Sequence, residues 1–486
     1  MPENSWPEND SYNEHRDAIN RVSTKIDSLL SDGGDEIYDV STLEELESDY
    51  FQGGSNRRRK AAIALTLIWA STIGLHLVSW GVWLVLGLTS LLSIQALRVL
   101  FARPRPVPSP LSEETRSNWP LVSLLVAAKN EEAVIARLVR NLCNLDYPVD
   151  RYEVWVIDDR STDKTPLMLD QLAKEYSQLK VLRRGAGAGG GKSGALNQVL
   201  PLTKGEFVAV FDADAQVTPD LLRRVLPLFE RQMVGAVQVR KAIANASLNF
   251  WTKGQAAEMA LDSYFQQQRT AITGIGELRG NGQFVRRAAL DRCGGWNEET
   301  ITDDLDLTLR LHLDHWDIDF LNIPAVQEEG VTSAIALWHQ RNRWAEGGYQ
   351  RYLDYWRLIV SNRMGVLKTF DMFGFWIIQY ILPTAGVPDC LMAIARHRPP
   401  VFSPLTGMAL TLSLIGMTTG LRRIRRDEEQ QQNFLLALSQ TIRGTIYMFH
   451  WLIVMPSTTA RISVRPKRLK WVKTVHQGST DESFEF

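Results

Sequence analysis

Cysteine is scarce: three occur in 486 residues, at positions 143, 293 and 390, with no C-x-x-C pair. This spacing excludes a disulfide scaffold and a cysteine zinc site, and fits a reducing compartment. Net charge is nearly absent as well, with 54 Lys and Arg against 55 Asp and Glu. No global positive field points to nucleic acid. No apolar run occurs before residue 60, so no secretory signal is expected. Residues 1–56 are acidic and polar with few aliphatics, and are expected to remain a disordered tail. A glycine is missing where it would matter most. The stretch GAGAGGGKSG (185–194) ends like a phosphate loop, G-x-x-x-x-G-K-[ST]. Anchored on Gly191, Lys192 and Ser193, however, the first glycine falls on Ala186. This argues against hydrolysis of a nucleoside triphosphate. It leaves either a phosphate contact of another kind or a flexible loop with one solvated lysine.

Apolar sequence, by contrast, is abundant. Residues 61–102 contain no acid and one interior His76, long enough for two spans at roughly 20 residues each. RRRK (57–60) precedes this run and RPRPVPSP (103–110) follows it. Basic flanks on both sides predict a hairpin with both ends in the cytosol, over 57–110, and a cytosolic domain over 111–366. Further apolar runs lie at 369–394, 401–421 and 434–455, within a membrane segment set at 367–456. Arg443 interrupts the last run and a basic stretch, RISVRPKRLKWVK (461–473), follows it. We therefore expect 434–455 to be re-entrant or interfacial, and the 457–486 tail to rest on anionic lipid headgroups. Trp69, Trp80, Trp83, Trp376 and Trp451 stand in or beside these runs, as interfacial belts do.

The polar domain alternates. Strand patterns at 121–128, 153–158, 180–182, 206–212 and 234–239 are separated by helix patterns at 131–144, 165–176, 193–200 and 219–231. This predicts an α/β, Rossmann-like fold with a mostly parallel sheet, flanked by transmembrane helices. Ligands of such sheets bind beyond the carboxyl ends of the strands. The residues there are Lys129–Glu132, Asp158–Arg160, the glycine loop with Lys192, and Asp212 with Asp214. Asp163 and Asp220 read as helix caps or first-turn acids. A D-x-D turn after a strand offers two hard oxygen ligands to a small divalent cation, typically Mg2+ bridging to substrate phosphate. Downstream, RGNGQFVRR (279–287) contains a tight glycine turn. Thr302 is a candidate N-cap before Asp303, Asp304 and Asp306. Acids at a positive helix end explain Asp303 but leave Asp304 available as a general base. HQRNRWAEGG (339–348) puts Gln340, Arg343 and Trp344 on a helix, either at a site or as a basic face on a membrane.

V-x-D-D-x-S-x-D-x-T (156–165), D-A-D (212–214), T-D-D (302–304) and Q-x-x-R-W (340–344) occur in that order. Together they resemble the family 2 inverting glycosyltransferases, whose processive members include cellulose and hyaluronan synthases. The resemblance covers about 120–350 and implies a glycosyltransferase A-type domain. It implies that Asp158 and Asp159 hold uracil or ribose, with Asn130 and Glu131 lining the same pocket and Lys192 near the nucleotide. It implies Mg2+ on Asp212 and Asp214, and Asp304 as general base. Gln340, Arg343 and Trp344 would close over the diphosphate and the acceptor. The family usually has T-E-D; Asp303 is one methylene shorter, which bears on acceptor placement.

The likeness extends over the whole chain, from the opening MPENSWPEND, through AVQVRKAIANA and NFWTKGQAAEMALDSYFQQQR, to the tail SVRPKRLKWVKTVHQG. It implies UDP-glucose as donor, the sn-3 hydroxyl of 1,2-diacylglycerol as acceptor, no nucleic acid partner, and a cyanobacterial thylakoid or plasma membrane. The alternative is a processive polysaccharide synthase, for which four spans are few to build a pore. Segment 249–269 reads equally well as an amphipathic guide for the lipid and as ordinary core packing.

Overall fold

A computed structural model describes residues 56–431 and 433–465. The expectations for the acidic tail through 55 and for the basic tail beyond 465 lie outside the described residues. Two long helices, α1 (Arg57–Leu77) and α2 (Gly81–Leu100), come first. The alternating half follows: β1 (Val122–Ala128), α3 (Ile135–Cys143), β2 (Tyr152–Asp158), α4 (Thr165–Glu175), β3 (Leu179–Arg183), α5 (Gly191–Val199), β4 (Phe207–Phe211), α6 (Leu221–Val225) and β5 (Val234–Ile243). Next come α7 (Phe250–Ala271), β6 (Gln283–Arg286), α8 (Arg287–Arg292), α9 (Asp303–Leu313), β7 (Asp317–Glu328) and α10 (Ala334–Val360). The C-terminal part holds α11 (Val366–Trp376), a π turn (Ile377–Ile381), α12 (Leu382–Arg396), α13 (Ser403–Asp427), α14 (Phe434–Met448) and α15 (Trp451–Val464).

The seven strands form one sheet in the order β3-β2-β1-β4-β6-β5-β7. All neighbours pair in parallel except β6, which runs antiparallel to both β4 and β5. β1 lies inside the sheet, and its continuous apolar run serves two cores. Leu124 and Val126 pack into one face of the sheet, and Leu125 into the other. A strand covered on both sides has no polar alternation to show. β6 and β7 are absent from the sequence expectation. β6 is four residues long, and Asp317, Asp319, Asn322 and Pro324 break up the apolar run of β7.

The helix expected over 219–231 is broken. Pro227 has no N–H and its ring clashes with the carbonyl four residues back, that of Arg223. The chain tightens into a 3₁₀ stretch, Leu226–Glu230. The Arg223 carbonyl instead accepts from Leu111 N at 2.9 Å, which ties the linker to the domain.

Among the described residues, four helical runs are long and apolar enough to cross a membrane: α1, α2, Val366–Arg396 and α13. The 434–455 stretch belongs to two helices of 15 and 14 residues. At 1.5 Å per residue each reaches only about 20 Å, short of the ~30 Å hydrocarbon core. α15 packs beside α1, α10 and α12, and so joins the apolar helices to the base of the α/β domain.

Candidate active site

The carboxyl ends of β1, β2 and β4 meet at one edge. Asn130 adopts a left-handed backbone, φ 55°, a conformation asparagine tolerates better than most residues. Its Oδ1 accepts from Thr162 N at 2.7 Å and its N donates to Ser161 Oγ at 2.8 Å. Glu131 N donates to Thr165 Oγ1 at 2.8 Å. These bonds fasten the turn after β1 to the turn after β2. Asp158 serves the same turn: its buried carboxylate accepts from Ser161 N at 3.0 Å. Asp158 does not line the cavity, whereas Asp159 does. Arg184 Nη1 lies 3.0 Å from Asp159, and Arg160 Nε 3.4 Å.

Arg184 also orders the glycine loop. It donates to the carbonyls of Gly189 and Gly191 and to Gln198 Oε1. Gly190 sits at φ +74°, a conformation that favours glycine, and an added Cβ would lie 2.9 Å from the Gly194 Cα. The loop delivers Lys192 in the first turn of α5, with Nζ 2.6 Å from Asp212 Oδ1. Burial opposes the charge on both groups. For Lys192 the attraction of Asp212, with Asp303 and Asp304 behind it, outweighs burial and raises its pKa. Lys192, then Lys241 and Arg343, likewise hold the Asp212 carboxyl below the usual carboxylate range.

Thr302 occupies the N-cap position of α9 without making a side-chain cap hydrogen bond. Asp303 and Asp304 both face the cavity from the first turn. Burial, and then repulsion from Asp303, push the Asp304 carboxyl up to about 6, against the pull of the Leu305 N–H, Lys192 and Lys241. A carboxyl poised there can take a proton near neutral pH.

From α10, Gln340, Arg343 and Trp344 reach the same cavity. Arg343 is in the field of Asp212, Asp304 and Asp303. Two cations lie near the Trp344 ring, with Arg341 Cζ 3.9 Å and Lys241 Nζ 5.4 Å from its centroid. Lys241 is held by Glu328 Oε2 at 2.9 Å. Arg279 and Arg351 also line the cavity and share the fully buried Glu277, at 2.8 and 2.7 Å. Lys241, Arg351 and Arg184 lie outside the recognised motifs, Arg279 opens the RGNGQFVRR segment, and Arg341 is a variable position within Q-x-x-R-W. Arg184 comes just after β3, where the rule that located the acids applies, whereas Lys241 lies within β5 itself.

The cavity measures about 760 Å³. The α/β domain lines it with Asn130, Asp159 and Lys192. The C-terminal helices line it with Tyr380, Trp451 and Met455. α7 divides its faces: Glu258, Met259 and Asp262 meet the cavity, while Ala257 and Leu261 pack in a core with Met417 of α13.

Among the described residues, no cluster of three or more His, Cys, Asp and Glu side chains could by itself enclose a metal. Asp212 and Asp214 supply two hard carboxylates, and Asp214 Oδ2 is oriented by Glu329 N at 2.8 Å. Two protein oxygens suit a hard divalent cation that takes its remaining ligands from substrate phosphate and water. Lys192 shows that the Asp212 oxygen already binds positive charge.

The profile of the glycosyltransferase-like family 2 matches residues 120–347. A β-monoglucosyldiacylglycerol synthase of Trichormus variabilis is 66% identical over 481 residues, covering 99% of this chain and 100% of the relative. The chain belongs to glycosyltransferase family 2. A β-monoglucosyldiacylglycerol synthase of Synechocystis is 56% identical over 488 residues, 100% of this chain and 99% of that one. A probable glycosyltransferase of Bacillus subtilis is 28% identical over 380 residues, 75% of this chain and 89% of the relative. A mannosyltransferase from Pyrobaculum calidifontis, solved with GDP-Man and Mn2+, aligns with a TM-score of 0.50 at 22% identity. It covers 78% of this chain and 98% of that one, a likeness that shows the fold alone. The family 2 glycosyltransferase expected from the four motifs is thus the family shown.

Proposed function

We propose that this enzyme transfers glucose from UDP-glucose to the sn-3 hydroxyl of 1,2-diacylglycerol with inversion, giving a β-glucoside. One observation carries the reading: a single cavity joins the acidic, cationic edge of the sheet to residues of the apolar C-terminal helices. A lipid alcohol and a sugar nucleotide need to meet in such a place. The full-length likeness to the named synthases supports this acceptor over a growing polysaccharide.

The roles follow from charge. Asp159, Asn130 and Glu131 stand where the nucleoside would sit, with Asp158 bracing the turn behind them. Asp304 accepts the acceptor's proton as the new bond forms, since an alcohol is a poor nucleophile. Arg343 and Lys192 offset the negative charge that develops on the leaving diphosphate; a guanidinium suits this because its fork matches phosphate oxygens. Gln340 and Trp344 close over the acceptor, and Asp303 bears on its placement. Asp212 and Asp214 would hold a divalent cation, Mg2+ in our reading, whose chemistry is that of a Lewis acid and template. Asp214→Ala should therefore weaken UDP binding about tenfold or more in the presence of Mg2+ and little in its absence. Calorimetry with and without the metal checks this, and an unchanged metal dependence removes Asp214 from the site. The catalytic domain would face the cytosol from a thylakoid or plasma membrane.

The acceptor is tested on purified protein in detergent with Mg2+, radiolabelled UDP-glucose and dioleoylglycerol. Label partitioning into chloroform only when diacylglycerol is present is the expected result. Label in an insoluble residue formed without diacylglycerol would establish a polymer synthase instead.

A further inference from the structure

Arg443 is the one charged side chain of α14. On either side of it Ile442 and Ile446 are exposed, by 53% and 55%. A guanidinium in such a place is costly unless something meets it. No acid does. Among the described residues Arg443 has no hydrogen-bond or ion-pair partner, and its Nε is buried without one.

A second cation comes from α13. α14 folds back against that helix, where the hydroxyls of Thr418 and Thr441 lie 3.0 Å apart. Arg425, half-buried in the last turn of α13, donates from Nη2 to Gln440 Oε1 at 2.9 Å. Gln440 stands three residues before Arg443, so the two side chains are neighbours on one helix face. Arg425 has no ion pair among the described residues either. The acids that follow it are taken. Asp427 accepts from Asn322 Nδ2 at 2.7 Å and pairs with Arg426 at 3.1 Å, and Glu428 pairs with Arg240 of β5. None of Arg425, Gln440 and Arg443 lines the catalytic cavity.

Two uncompensated cations and an amide, flanked by exposed aliphatic side chains, match the boundary between lipid headgroups and acyl chains. α13 is long and apolar enough to cross a membrane, and Arg425 lies at its end, where basic side chains reach that boundary. We propose that Arg425, Gln440 and Arg443 bind the phosphate of an anionic phospholipid. Each guanidinium offers a fork that matches phosphate oxygens and stays charged. The Gln440 amide adds a neutral N–H donor. Ile442 and Ile446 would lie along the acyl chains. A net negative headgroup is favoured over a zwitterionic one, because neither arginine has a carboxylate to balance it. The site is separate from the catalytic cavity and independent of the donor and acceptor of the reaction.

The test titrates delipidated full-length protein in dodecyl maltoside with dioleoylphosphatidylglycerol or dioleoylphosphatidylcholine, and counts bound lipid by native mass spectrometry. Wild-type protein should bind the anionic lipid about fivefold tighter or more. Arg443→Gln and Arg425→Gln should each weaken that binding about fivefold, the scale of one basic residue at an anionic surface, and leave the zwitterionic lipid unchanged. Arg443→Lys keeps the charge and should retain most of the affinity. Arg398→Gln, the same charge change in the loop after α12, should have no effect. Circular dichroism identifies a variant that has not folded, and two positions keep the test open if one fails. Equal affinity for the two lipids overturns the proposal, as does unchanged binding of the anionic lipid in either folded glutamine variant. An equal loss in Arg398→Gln would mean attraction by net charge alone. Displacement of the lipid by millimolar inorganic phosphate would mean a site for a free anion, and either result removes the lipid site.

Discussion

Asp304→Asn lowers glucosyl transfer by about 10²–10⁴-fold, the range over which a positioned acid–base group contributes, and makes the protein more resistant to heat. Both effects have one source. The Asp304 carboxyl is pushed from 3.8 up to about 6, first by burial and then by Asp303 next to it. Between those two values the folded protein binds more protons than the unfolded chain, so this group's contribution to stability falls as pH rises through the window. At pH 7 the charged carboxylate is present and is a net burden on the fold, from which a neutral amide is free. The same shift sets the activity profile. Wild-type kcat/KM should decline tenfold per pH unit below about 6, because the protonated acid cannot accept the acceptor's proton. Thermal inactivation in detergent at pH 7 and a pH–rate series measure the two effects. An acidic limb near pH 4, or turnover near normal in Asp304→Asn, would remove Asp304 from the role of base.

What could be read from the chain follows from where each signal lies. The acids after β1, β2 and β4 were visible because strands buried on both faces are unbroken apolar runs, and a polar turn after such a run is conspicuous. Eleven of the twelve residues singled out line the cavity; Asp158, the exception, braces its turn. The cations were harder to see. β5 continues past 239 to Ile243, so Lys241 sits on the strand rather than after it. Arg184 was masked by the more conspicuous glycine loop beside it. β6 is too short for a period to register, and β7 exposes its carboxyl-terminal half unevenly. The π turn had no signature in apolar periodicity, because its helix is apolar on most sides; only Pro383 marks the place. The short helices α14 and α15 turn at Phe449 and His450, where no glycine or proline announces a break.

The second large effect expected is on stability. Glu258 of α7 accepts hydrogen bonds from Trp451 Nε1 at 2.8 Å, from Tyr447 at 3.1 Å and from the fully buried guanidinium of Arg341. Burial alone would raise its pKa, but Arg341, and then His450, hold it below the ordinary value. Arg341 in turn donates to Gln340 Oε1 at 2.8 Å and stacks on Trp344. The pair therefore fastens α7, α14 and α15 to the part of α10 that carries Gln340, Arg343 and Trp344. Glu258→Ala strands a buried guanidinium and should cost about 3–5 kcal/mol. The double variant Glu258→Leu/Arg341→Met removes both charges and should recover most of that loss, since apolar replacements of buried pairs are often neutral. Activity should not recover with it. Without Arg341, Gln340 loses its hydrogen bond and Trp344 its stacked cation, so turnover stays at least tenfold below wild type in a protein of near-normal stability. Inactivation midpoints and kcat measured on the same preparations separate the two roles. If the single variant is as stable as wild type, the pair carries no structural weight. If the double variant turns over normally, the cluster packs the helices together and does not place the side chains that meet the acceptor.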